Sequence, residues 1–153
     1  MENTLHQKIM DEAYSFWQSQ EKMDYVTFID SLDKKQKLAV LTGNLNYQVE
    51  NGGFSQWHIN EYSKKAKELI ELLTPLEGIE VVKEVIELVE TAIDIIEEFD
   101  RPEGSGFDED EEYYDEYYDE YYDNEMHSAL DSLDTRYYSI NEKFLNIIEE
   151  VLK

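Results

Sequence analysis

EGIEVVKEVIELVETAIDIIEEF, residues 77–99, carries the plainest structural signal in the chain. Ile79, Val82, Ile86, Val89, Ile93 and Ile96 recur at steps of three and four, and Val81, Val85, Leu88, Ala92, Ile95 and Phe99 form a second such row beside them. Many of these residues are β-branched, which keeps a strand locally open, but the period and the length favour a helix. Two adjacent rows make an apolar face wider than a coiled-coil seam, so this helix is expected to sit central to a core.

The same period recurs on either side. Leu5, Ile9, Ala13, Phe16 and Trp17 outline one face of an N-terminal helix, and YVTFI at 25–29 is ambiguous. Ser31 or Asp33 can cap the next helix, with Asp33 and Gln36 spaced as a capping box and Leu38, Leu41, Leu45 and Val49 as its inner stripe. Asn51-Gly52-Gly53 is expected to end that helix, because these residues tolerate left-handed geometry. A short segment from Phe54 to Asn60 and a helix from about Ser63 to Leu73 follow, and Pro75 forces a break. Residues 101–106, RPEGSG, read as a loop, and Tyr137, Ile140, Phe144, Ile147, Ile148 and Val151 mark a final helix. With no strong hairpin signal, the fold class is all-α. A single domain over 1–153 is expected, its length sufficient to bury a core.

Charge sets the functional limits. The 37 Asp and Glu against 13 Lys and Arg leave a net charge of -24. Such a chain repels nucleic acids and anionic membranes and attracts basic proteins over distances set by salt screening. There is no cysteine, so disulfide and thiolate chemistry are excluded. The opening MENTLHQKIMDEAY lacks the basic and apolar regions of a secretory signal, and no apolar run approaches the roughly 18–20 residues of a membrane span. A cytoplasmic location is the expectation.

The charge peaks in DEDEEYYDEYYDEYYDNE, residues 108–125, which hold eleven carboxylates, six tyrosines and no basic residue. The other 26 acids still face 13 bases, so acidity is general and this tract is its maximum. Its YYDE repeat has period four. In a helix, Tyr113, Tyr117 and Tyr121 would line one side, Tyr114, Tyr118 and Tyr122 would lie beside them, and the acids would face away. The tract's charge would then fall once per roughly 2.5 Å, against about 1.7 Å in duplex DNA. A disordered acidic insertion is the alternative, since such repulsion readily produces one. The outer face of the 77–99 helix adds Glu80, Glu84, Glu87, Glu90, Asp94, Glu97 and Glu98, with Lys83 the one cation among them. Like charges three and four apart each cost roughly 0.2–0.5 kcal/mol, so stability alone would interleave lysines. The candidate partner-binding residues are therefore Asp108, Glu109, Asp110, Glu111, Glu112, Asp115, Glu116, Asp119, Glu120 and Asp123 of the tract, with Glu80, Glu84, Glu87, Glu90 and Asp94 of the helix.

No enzyme is expected. The tract lacks the glycine of a calcium loop, and His6, His58 and His127 are scattered without an HExxH or His-x-x-x-His spacing. No P-loop, GxGxxG or GxSxG occurs, and carboxylates are too abundant for any pair to signal acid–base catalysis. Neither a cofactor nor a metal is expected. His58 beside Trp57 reads as packing or a cap.

VENGGFSQWHIN, residues 49–60, resembles a bacterial family, the DNA-mimic proteins of the DMP-nineteen type. Asn51, Gly52, Gly53, Phe54, Gln56, Trp57 and Asn60 fall on its motif, while His58, Ile59, Glu61 and Tyr62 depart from it. LDSLDTRYYSI, residues 130–140, resembles its second signature, and the likeness covers roughly residues 33–152. The resemblance implies an all-helical fold and, for the characterised member, an acidic surface occupying the DNA-binding face of a transcription factor. The motif itself reads as structural: Gly52 and Gly53 permit a tight turn, Phe54 and Trp57 anchor it, and Asn60 caps.

Charge and resemblance together lead to the expectation of an acidic, non-enzymatic protein that binds a basic DNA-binding protein and competes with DNA. That partner would be a transcription factor, a nuclease or a nucleoid protein, and a homodimer stays open. The alternatives are an immunity-type inhibitor of a basic toxin and a charge-solubilised scaffold.

Overall fold

The computed structural model describes residues 4–99 and 125–153, and every regular element among them is helical. They are α1 (Leu5–Gln18), α2 (Tyr25–Asp30), α3 (Lys34–Ile59), a 3₁₀ turn at Tyr62–Lys65, α4 (Ala66–Leu73), a second 3₁₀ turn at Thr74–Leu76, α5 (Glu80–Phe99), α6 (residues 125–131), α7 (Asp134–Tyr138) and α8 (Asn141–Leu152). The loop read at 101–106 and the tract carboxylates Asp108 to Asp123 lie outside the described residues.

Local chemistry starts several of these helices. Thr4 accepts from Gln7 N, and Asp24 accepts from Thr27 N at 2.7 Å, which settles the ambiguous YVTFI as α2. The capping box of α3 forms in both directions, with Gln36 N to Asp33 Oδ1 at 2.8 Å and Asp33 N to Gln36 Oε1 at 3.0 Å.

The β-branched segment at 77–99 is helical from Glu80, and its two apolar rows bury Val82, Val85, Ile86, Leu88, Val89 and Ala92. Ile79 precedes the helix and stays exposed. α5 packs on α4 and α8 and shares the centre with α3, which meets α1, α4, α7 and α8 and buries Leu38, Leu41, Leu45 and Val49. Fully buried Trp57, Tyr137, Phe28, Phe54 and Phe144 give the core its bulk.

Three readings change in the folded chain. Phe16 is 42% exposed, because neighbouring helical positions diverge by about 100° and α1 turns Trp17 inward instead. Trp17 stacks on Phe28 with ring centroids 4.4 Å apart, and its Nε1 donates to Met23 O at 2.8 Å. The helix read through Tyr137 to Val151 breaks at Ser139 and Ile140 into α7 and α8, leaving Val151 exposed. The helix expected from Ser63 starts as a 3₁₀ turn at Tyr62 and becomes α-helical at Ala66. No described helix is long and apolar enough to cross a membrane.

Candidate functional site

The Asn-Gly-Gly-Phe segment does not simply end α3; it breaks the helix and restarts it. Gly52 has φ -156 and ψ 15, and Gly53 has φ 80 and ψ 179, a combination open essentially to glycine alone. A Cβ on Gly53 would lie 2.2 Å from Asp134 Oδ2, so backbone and packing both demand glycine there. Restarting a helix creates fresh N–H groups without intrahelical partners. Phe54 N donates to Asp134 Oδ1 at 2.9 Å, and the Ser55 hydroxyl donates to Asp131 Oδ1 at 2.7 Å. The Leu-Asp-x-Leu-Asp segment thus caps the helix that the Gly-Gly segment starts, from about 80 residues away in the chain.

Side chains bind the two halves of α3 across the break. Gln48 Oε1 accepts from Gln56 Nε2 at 2.9 Å and from Asn60 Nδ2 at 2.7 Å. Phe54 meets Trp57 and Tyr137 edge-on, both at 5.9 Å between centroids. Tyr137 OH donates to Asn46 Oδ1 and Tyr138 OH to Val49 O, so α7 is latched to the first half of α3. Burial pushes the Asp134 carboxyl above its ordinary range, against the lowering effect of the Phe54 N–H. Asn51 and Gly52 are exposed, while Gly53, Phe54 and Trp57 are buried.

The acids of α5 lie in a different setting. Glu80, Glu87, Glu90 and Asp94 are exposed and Glu84 is half-buried. At 1.5 Å per residue, Glu80 to Asp94 spans roughly 21 Å. The fold brings Arg136 to Glu87 and Lys67 to Glu97, both at 3.2 Å, cations that the linear order of the chain does not place on this face. Glu80, Glu84, Glu90 and Asp94 make no ion pair among the described residues. His58, read as packing or a cap, has its Nδ1 at 2.7 Å from Ser63 Oγ. No cluster of His, Asp or Glu able to hold a metal occurs among the described residues.

Sequence reading missed Asp134 as the cap of the Gly-Gly break and Asp131 as the acceptor of the Ser55 hydroxyl beside it. Their signal was present as two aspartates in a short segment, but nothing local names the helix end they serve. It also missed the polar edge of α3, where Thr42, Asn44 and Gln48 are buried. Asparagine is a poor helix former, so an amide-rich run inside a long helix is a sign of side-chain networks.

Comparison with protein families matches residues 30–152 to the one described as DMP19-like protein. No curated protein and no solved structure matches the chain.

Proposed function

We propose that this chain, which belongs to the DMP19-like protein family, is a non-enzymatic cytoplasmic DNA mimic: it binds a basic DNA-binding protein and blocks that protein's access to DNA. The observation that carries the reading is the surplus of carboxylates in the chain and its concentration in two places. Eleven fall in residues 108–125, and Glu80, Glu84, Glu90 and Asp94 on α5 make no ion pair among the described residues. Repulsion at such spacings costs stability, so a surface kept this acidic is suited to an opposite charge supplied from outside. A positively charged DNA-binding face supplies it, and the partner's basic groups then meet carboxylates in place of phosphates.

The test is displacement of labelled DNA from a DNA-binding partner isolated from the native host. Wild type is compared with two charge-neutralised proteins, D115N/E116Q/D119N/E120Q in the tract and E80Q/E84Q/E90Q/D94N on α5. At about 0.5–1 kcal/mol per exposed charge, each set is expected to weaken binding by about 2–4 kcal/mol, with affinity falling steeply as salt rises. Equal displacement by wild type and the tract variant would place the binding face on α5. If neither variant is impaired, or the captured partner does not bind DNA, the mimic reading fails and an immunity-type inhibitor takes its place.

A further inference from the structure

Between α1, the first half of α3 and α8 lies a cavity of about 720 Å³, within the range of small-molecule and side-chain pockets. It lies apart from the α5 acids. Its frame is built with care: Glu149 on α8 accepts from Leu5 N at 2.9 Å and His6 N at 2.8 Å, closing the first turn of α1 across the chain. On the opposite wall Gly43 lets α1 approach α3, since a Cβ there would meet Met10 Sδ at 2.1 Å.

Two nearly buried polar side chains line this space and each has an atom without a partner among the described residues. Gln48 is only 6% exposed and has its Oε1 occupied by Gln56 and Asn60, yet its Nε2 has no partner among the described residues. No fully buried side-chain nitrogen or oxygen is left unsatisfied among the described residues, so this Nε2 keeps some accessible surface, and Gln48 is one of the residues lining the cavity. His6 repeats the pattern. Its Nε2 lies 2.7 Å from the Ala39 carbonyl, an acceptor, and so carries the proton, which leaves Nδ1 an acceptor without a partner among the described residues. Burial holds His6 below its ordinary pKa, which favours the neutral ring.

The rim adds carboxylates and rings. Glu50 and Glu142 are exposed, Tyr62 is half-buried, and Tyr47 is 65% exposed, more than any other large hydrophobic residue described. No lysine or arginine among the described residues lines the cavity. An anion finds no described cation to pair with. A cation finds two carboxylates, aromatic faces and the His6 nitrogen, while the Gln48 amide is left to donate to a carbonyl.

We propose that this cavity is a receptor for an arginine side chain of the basic partner, with the guanidinium held at its mouth by Glu50, Glu142 and the tyrosine rings. Arginine suits the site better than lysine because its planar guanidinium both stacks on rings and forks onto carboxylates. The inference rests on the mimic reading for the source of the arginine, but the pocket is testable without a partner.

The full-length protein is titrated with N-acetyl-arginine amide and with N-acetyl-citrulline amide, an uncharged near-isostere, while backbone amide chemical shifts are followed. Saturable shifts at Tyr47, Gln48 and Glu50 with the arginine probe, at least tenfold weaker with citrulline, are expected. The E50Q/E142Q protein should bind the arginine probe at least fivefold more weakly with shifts elsewhere unchanged, and Y47A should weaken it as well. Equal response to both probes, or non-saturating shifts spread over α5, would overturn the proposal. Saturable binding here with no displacement of DNA would instead overturn the mimic reading and leave the pocket standing.

Discussion

Asp131 and Asp134 accept hydrogen bonds from the restarted half of α3, whereas Glu80, Glu84, Glu90 and Asp94 face outward from α5 without an ion pair among the described residues. The same functional group serves two purposes. At the Gly-Gly junction the Asp134 carboxylate answers a need created by the backbone, because breaking a helix strands donors that must be satisfied, and side-chain pairs hold the two halves beside it. On α5 Glu84, Glu90 and Asp94 lie beyond the first turn, where backbone donors are paired within the helix, and no described contact calls for their charge. A change at the junction should therefore register in stability, and a change on α5 chiefly in binding.

Gly53→Val should have the largest effect. It forces a β-branched residue to φ 80 and drives a Cβ into the Asp134 carboxylate. Strain and overpacking together are expected to cost about 4 kcal/mol, a fall in melting temperature of roughly 8–16 °C. An unchanged melting temperature alongside lost partner binding would move the motif from the structural side of the comparison to the functional one.

Removing the cap comes next. Asp134→Ala should cost about 1–2 kcal/mol by leaving Phe54 N–H unpaired, while Asp134→Asn keeps an acceptor and should cost less. The two side chains also separate by pH. Because burial raises the folded carboxyl above 3.8, the native protein holds more protons than the unfolded chain between 3.8 and that raised value. Wild type should gain stability relative to the Asn protein as pH falls through this window, and gain nothing further below it. Melting curves of the pair at stepped pH read this directly, and a difference that moves the other way would mean the carboxylate is net stabilised in the fold.

The smallest effect carries the opposite sign. E80Q/E84Q/E90Q/D94N removes like-charge pairs at i,i+3 and i,i+4, so melting should stay level or rise by the equivalent of up to about 1 kcal/mol. Urea unfolding of this protein beside wild type sharpens the contrast. A clear loss of stability would show that the α5 acids belong to the fold after all.

The helices were legible because their signals are short-range. The two rows of α5, the Asp33–Gln36 box and the Gly-Gly break can each be read within a few turns of chain. The acidic α5 face was legible for the same reason. The cations that reach it were not, since Arg136 and Lys67 come from other helices.

The sequence by itself therefore determined the all-helical class, the position of the break in α3 and the excess of negative charge. Periodicity, capping and composition act over a few residues or over none. Only the tertiary structure decided that Trp17 rather than Phe16 turns inward, that Asp134 caps Phe54, and that Glu149 holds α1 to frame a cavity beside Gln48 and His6. Those choices pair groups up to 144 residues apart. Such pairs exist only once helices have packed, because it is burial that makes an unsatisfied donor costly and so selects its partner.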